Sequence, residues 1–302
     1  MKIGIAIGDI RGTAPLAEVV GQVSTAADAG FTTAWAAQAF GMDALTTLAV
    51  AGGSVPGIGL GTAVVPTPQR HPLVLASHAL TVQAATDNRL TLGIGAGIAT
   101  MVDGMFGLPH DRPVHRMREY LSALDPLLHG ETVSYQGETT RAVGAVTVPG
   151  AQPPTVLLAA MGPAMLRLAG ELTDGTVTWM TGPNTLCDHI VPTVSAAART
   201  AGRSAPRVVA GLPVCVTNDE SAVRARIAAA FGLAGQVPEY RAVLDREGVA
   251  GPQDVAIVGD EGTVLREVQR LADAGVTEFM AAPFGTSQEQ QRTIDLLAGS
   301  QP

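Results

Sequence analysis

The stretch "NRLTLGIGAGIATMV", Asn88 to Val102, places Gly93, Gly95 and Gly97 at alternate positions where an apolar strand ends. Glycines at such an end let a backbone approach a flat ring or a phosphate closely. The dinucleotide fingerprint G-x-G-x-x-G wants its third glycine three residues after the second, where this chain has Ile98. It also wants an acidic residue about 20 positions on, where this chain has "RPVHRMREYL". Both departures exclude the Rossmann reading. Gly93 lies inside the strand and fits a tapering wall, whereas Gly95, Ala96 and Gly97 at its end are candidate contacts for a flat cofactor.

Six histidines could serve in metal or acid–base chemistry: His71, His78, His110, His115, His129 and His189. None stands in an H-E-x-x-H spacing, so no metal is expected. His110, in "LPHDRPVHRMREYL" beyond the fourth strand, is retained as a substrate contact. Cys187 and Cys215 are isolated and lack C-x-x-C spacing, which speaks against zinc or a disulfide framework. Large apolar side chains cluster after strand ends: Phe40, Met101, Met105, Phe106 and Met180 are the candidate substrate wall. Trp179, ending "GTVTWM", is the candidate ring contact.

Such residues need a scaffold, and the chain alternates short apolar runs with amphipathic segments throughout. The runs are "KIGIAIG" (2–8), "TAWAA" (33–37), "IGLGTAVV" (58–65), "LTLGIG" (90–95), "TVLLAA" (155–160), "GTVTWM" (175–180), "RVVAGLPVCV" (207–216) and "EFMAAP" (278–283). Eight strands too apolar for one-sided sheets, each followed by a helix, predict an α/β fold of (β/α)8 TIM-barrel type. Its functional face lies at the C-terminal ends of the strands. Residues 131–150 read as a hairpin inserted before the fifth strand, with Gln136 and Gly137 at its turn. Residues 232–260 read as a long insertion between strands seven and eight. With no repeat or linker, residues 1–302 read as one domain.

Charge and composition narrow the partners. The net charge is −8 and basic residues are scattered, so nucleic acid is not expected and a small molecule is. No apolar run reaches the roughly 18 residues that span a bilayer, and "MKIGIAIGDI" has no secretory h-region, which predicts no membrane partner and a cytoplasmic protein. Of 19 basic residues only Lys2 is lysine, a bias that points to a GC-rich genome.

Four segments, "ADAGFTTAW", "LGTAVVPTPQRHPLVLASHALTVQAATDNRLTLGIGAG", "LLAAMGPAMLRLAGELTDGTVTWM" and "LADAGVTEFMAAPFG", together resemble the luciferase-like monooxygenase superfamily, in particular its branch using the deazaflavin coenzyme F420. The arginine bias is compatible with an actinobacterial source. The resemblance implies a bacterial-luciferase-like barrel with a non-prolyl cis peptide at Ala63–Val64, forming a bulge behind the cofactor ring. It also implies that Ala159, Ala160, Met161 and Gly162 hold the cofactor phosphate, which suits a helix N-terminus opened by small residues. Pro163 suits the first helical turn. A homodimer is implied as well, with "DALTTLAVAGG" (43–53) as its candidate face.

The chain departs from that branch in one informative way. Many relatives carry W-x-x-D-H after the second strand, whereas "WAAQAFG" puts Gln38 and Ala39 there, leaving Gln38 as a cofactor contact. A glutamate that sugar-phosphate dehydrogenases place past the glycine ladder is here Ile98. No catalytic acid–base residue is assigned, which argues against alcohol oxidation and for hydride delivery to an activated C=C, C=N or C=O bond. The alternatives are an FMN-dependent monooxygenase of the same fold and a non-catalytic F420-binding protein. Arg70 and Arg112 are candidates for the cofactor's acidic tail, and Asp9 and Arg11 are polar residues near the same face.

Overall fold

The computed structural model describes residues 1–8 and 14–300, so Asp9 and Arg11 lie outside the described residues. In chain order the strands are β1 (Lys2–Ile7), β2 (Thr33–Ala36), β3 (Gly59–Thr62), β4 (Val65–Pro66), β5 (Leu90–Gly95), β6 (Val133–Gln136), β7 (Arg141–Gly144), β8 (Thr155–Ala159), β9 (Gly175–Trp179), β10 (Arg207–Val216), β11 (Ile257–Gly259) and β12 (Glu278–Pro283). Parallel pairing runs β1-β2-β3-β5-β8-β9-β10-β12 and returns to β1, closing a ring of eight. The fold is therefore the (β/α)8 barrel that the alternating pattern predicts. Helices cover its outside, and a large apolar cluster fills the space between them and the sheet.

Three local expectations need correction. The run 58–65 is not one strand: it stops at Thr62, passes through a cis Ala63–Val64 peptide and resumes as β4 against the end of β5. The hairpin turn is at 137–140, since Gln136 still pairs with Arg141 and the Gly137 N–H reaches Thr140 O. The 232–260 insertion holds helices Pro238–Glu247 and Pro252–Val255 and a further parallel strand, β11, on the far half of β10. Three residues give too short an apolar signal to be read as a strand.

Alternation assigns the barrel interior. Trp35, Leu157, Val177, Val209 and Met280 form a separate buried cluster inside the ring. Trp35 is 1% exposed, and a Cβ on Gly4 or Gly61 would run into its indole. Its Nε1–H donates to Glu278 Oε1 at 3.0 Å, and Glu278 Oε2 accepts from Arg207 Nη2 at 2.9 Å. The buried carboxylate thus has a partner on each oxygen, as burial demands.

Two side chains tie the periphery. Glu119, 6% exposed, accepts the backbone N–H groups of Glu138, Thr139 and Thr140 at 2.7–2.9 Å and the Thr139 hydroxyl at 2.6 Å. Gly137 leaves room for that carboxylate. Arg89 donates to four carbonyls, those of Thr86, Val55, Ile58 and Gly52, at 2.6–3.0 Å. Gly52, Val55 and Thr86 end the helices Ala44–Ser54 and Pro72–Ala85, whose last carbonyls lack partners within the helix.

Two outcomes follow. Gly61→Ala destabilises the protein by about 1–3 kcal/mol through overpacking, and Trp35→Leu in the same chain relieves part of that loss; urea unfolding of the double-mutant cycle measures the coupling. For Glu119, burial pushes the carboxyl up but hydrogen bonds from the hairpin turn prevail and lower it from 4.5 to about 2. A depressed carboxyl adds stability above its unfolded value and loses it as pH falls from about 4.5 towards 2. Glu119→Gln therefore costs about 2–3 kcal/mol at neutral pH and flattens that acid dependence, as pH-resolved denaturation will show.

Candidate functional site

Two residues further toward the strand C-termini than the interior positions of the Trp35 layer, alternation points Ala6, Ala37, Ala63, Gly95, Ala159, Trp179, Gly211 and Ala282 into the barrel mouth. Seven of these carry nothing beyond Cβ. The mouth is consequently a shallow well with one large side chain on its wall. A Cβ on Gly95 would press on Val64 and Ala159, and one on Gly211 would press on Trp179 and Met280. Those two glycines are required by the protein's own packing, a more specific reason than the ligand approach expected at Gly95. Gly93 is likewise crowded by the Thr62 carbonyl, and Gly97 adopts φ +72° at the turn out of the strand.

The expected ring contacts Ala63, Val64, Gly95, Ala159 and Trp179 therefore meet at one place, on two sides of the well. Trp179 is half-buried and continues into Phe231 and Phe284, with ring centroids 5.9 and 6.0 Å apart. Phe231 and Phe284 were not legible as site residues, because one ends a helix and the other follows the last strand. Ala6, Ala37 and Ala282 were also missed. Their signal was the small residue two places after Gly4, Trp35 and Met280 in "IGIAIG", "WAA" and "MAAP".

The second strand's loop is tied to the bulge. The Gln38 backbone N–H points to Val64 O at 3.4 Å, while Gln38 Oε1 accepts from the Ala44 N–H at 2.8 Å and from Arg70 at 3.4 Å. Arg70 also pairs with Asp43. Arg112 bonds Glu138 at 2.8 Å and Asp111 at 3.4 Å. Both arginines expected at an acidic tail are thus engaged by acids of the chain, and Arg112 is half exposed.

At the end of β8, Gly162 precedes the helix Pro163–Leu172, which no side chain caps. Gly162 is exposed, and its Cβ position has no neighbour within 4 Å. Open N–H groups at a helix start suit an anion. Met161 is half-buried, and its carbonyl faces His189 Nε2 at 2.9 Å. Ala160 is 4% exposed with its methyl in the main core, so only its backbone faces outward chemistry.

The expected substrate wall divides. Met180 is 1% exposed, takes φ +53° and packs in the main core, because its N–H is drawn to Gly211 O at 3.0 Å; it does not line an open wall. Phe40, Met105 and Phe106 are 64%, 60% and 45% exposed, enough to be approached from solvent. Met101 lies by Gly97, and His110 Nε2 sits 3.2 Å from Gly97 O. Ala96 and His110 border a cavity of about 330 Å³ between this loop and the inserted hairpin. Among the described residues no group of three His, Cys, Asp or Glu could hold a metal, and no helix is long and apolar enough to cross a membrane.

The chain is similar to 5,10-methylenetetrahydromethanopterin reductase of Methanolobus tindarius, 28% identical over 91% of this chain and 93% of that protein. Its fold matches the coenzyme F420 dependent tetrahydromethanopterin reductase of Methanopyrus kandleri with a TM-score of 0.83 at 22% identity, covering 99% and 98% of the two chains. It also matches the oxygenating constituent of 3,6-diketocamphane monooxygenase from Pseudomonas putida, solved with FMN, with a TM-score of 0.78 at 16% identity over 99% and 96%. The sequence profile of the luciferase-like monooxygenases covers residues 2–278, and the chain belongs to that family.

Proposed function

We propose that this protein is an F420-dependent oxidoreductase that passes a hydride between the deazaflavin and a small hydrophobic organic substrate. The observation that carries the reading is the well itself: alanine and glycine around its rim, Val64 and Trp179 on its sides, and no ionisable side chain among these positions. Such a surface fits a flat ring system by shape. The uncapped helix start at Gly162 suits the phosphate of the same molecule, so the residues present fit the group.

When bound, reduced F420 supplies the hydride from its ring carbon C5. The chain's part is positioning and exclusion of water. Val64 and Ala63 would support the ring, Ala159 and Trp179 would border it, and the backbone from Ala159 to Gly162 would hold the phosphate. The substrate would then be met by Phe40, Met101, Met105, Phe106 and His110. Gln38 braces the second loop through Ala44 and Arg70, where it cannot act as a proton acceptor for an alcohol. The reaction class that suits a site without an acid–base pair is reduction of an activated C=C, C=N or C=O bond. The similar methanopterin reductases, one of them F420 dependent, support this reading, and the neighbour solved with FMN supports a second one, a flavin monooxygenase. In the same reading the protein works in the cytoplasm as a homodimer, with exposed Val50 and Val74 on adjacent helices as an apolar face.

Titration of the apoprotein with F420 and, in parallel, with FMN separates the two readings. F420 is expected to bind at least about tenfold tighter, a difference of about 1.4 kcal/mol, and to quench tryptophan fluorescence. Trp179→Phe should abolish the quench while Trp35 still emits from the buried interior. Tighter binding of FMN would transfer the assignment to the monooxygenase branch. Ala159→Leu, which fills the well, should weaken F420 binding by roughly a hundredfold through steric conflict of about 1–3 kcal/mol while the thermal midpoint moves little.

A further inference from the structure

The helix that follows β9 is irregular at one place. It begins at Pro183–Thr185, widens into a π turn over Leu186–Ile190 and continues as an ordinary helix over Val191–Thr200. Pro192 gives a local reason, since a proline has no N–H for the carbonyl four residues back, here that of Asp188. A widened turn displaces its residues around the helix, and such turns recur at functional sites. Leu186 and Ile190 anchor this one in the main core, Cys187 and Asp188 are exposed, and His189 is half-buried. His189 Nε2 lies 2.9 Å from the carbonyl oxygen of Met161, in the turn between β8 and the helix Pro163–Leu172. A carbonyl only accepts, so Nε2 carries the proton and donates it. The two helices are held in this register further along, where a Cβ on Gly170 would strike the Val194 carbonyl and the Ala197 methyl.

The consequence lies on the other side of one peptide. In a trans peptide the carbonyl of one residue and the N–H of the next point opposite ways. By holding the Met161 carbonyl, His189 turns the Gly162 N–H away from its own helix. Gly162 is exposed with nothing near its Cβ position, and the N–H groups of Gly162, Ala164 and Met165 find no acceptor among the described residues. A glycine leaves the peptide before it easy to rotate, so the backbone alone does not fix where that donor points. We propose that His189 is a positioning residue for the cofactor phosphate: through the Met161 carbonyl it locks the Met161–Gly162 peptide, so that the Gly162 N–H joins the first free N–H groups of the following helix in facing one anion. Donors set in place before the ligand arrives spare it the cost of ordering them. The proposal rests on the phosphate placement in the F420 reading and deepens it, naming a side chain outside "AAMGPAM" that sets the donor geometry.

The test compares two ligands that differ by the phosphate alone, the deazaflavin ending in its phosphate and the same deazaflavin ending in the ribityl hydroxyl. Both are titrated by calorimetry into wild type, His189→Ala and His189→Gln, with His189→Leu, which keeps bulk without a donor, in place of the alanine variant if truncation disturbs packing. Wild type should bind the phosphorylated form at least about tenfold tighter, as expected for charge-assisted hydrogen bonds from backbone N–H groups. Loss of the donor should reduce that preference to about threefold or less and leave the phosphate-free affinity unchanged. His189→Gln, whose amide nitrogen can donate as Nε2 does, should restore most of it. Equal losses for both ligands would mark a merely structural brace and overturn the proposal. So would a preference that survives removal of the donor, or equal affinity of wild type for the two ligands. If neither deazaflavin binds, the F420 reading has failed, and FMN with riboflavin carries the same comparison. A phosphate preference there that depends on position 189 sustains the positioning role, and its absence overturns it.

Discussion

The barrel is organised around one indole. Trp35 occupies the middle of the ring, and the wall bends to it: Gly4 and Gly61 give up their side chains, and Glu278 crosses the interior to accept its N–H. Because Glu278 is buried, it needs a second donor, and Arg207 at the start of the neighbouring strand β10 provides it. The polar end of the barrel is thereby sealed by a tryptophan–glutamate–arginine chain. With the middle layer full, the next layer is nearly empty: apart from Trp179 on its wall it is composed of alanine and glycine. Stability and function are separated along the barrel axis, as expected when only one face carries chemistry.

The second organising device lies outside the ring. The inserted hairpin packs Val133 and Ala142 into the main core, and its turn is held by the Glu119 carboxylate on the preceding helix. A single buried acid with four hydrogen-bond donors adds to that hydrophobic interface. The hairpin is then rigid enough to bring Thr139, Thr140 and Arg141 against the loops of the third and fourth strands.

Much of this was legible from residue pattern. The eight apolar runs specified the barrel, because most were bounded by a glycine or proline and they alternated with helix-like segments. The open helix start at Gly162 was visible from "AAMGPAM", and Gly95 of the mouth from the glycine ladder. What escaped depended on contacts between distant segments. Met180 follows a strand and would be placed on the mouth by position alone, but its left-handed backbone turns it into the core. The Glu119 cap and the cavity beside the hairpin join residues from the helix after β5, the loop after β4 and the hairpin. Neither periodicity nor local spacing encodes such meetings. β11 escaped because strand formation there is imposed by the free edge of a long β10 rather than by its own three residues.

Arg89 gives the arginine bias of the chain a structural meaning. One guanidinium closes four carbonyls at the ends of two helices and the entry to β3, and Arg224 spans the carbonyls of Gln253, Ala256 and Val258 in the same manner. A planar fork with five donors can do this, whereas an ammonium has three donors around a single point. The arginine-rich composition serves here as a joinery method. A descendant drifting toward lysine would have to rebuild each of these corners with caps, waters or shorter loops before it could give up the arginine.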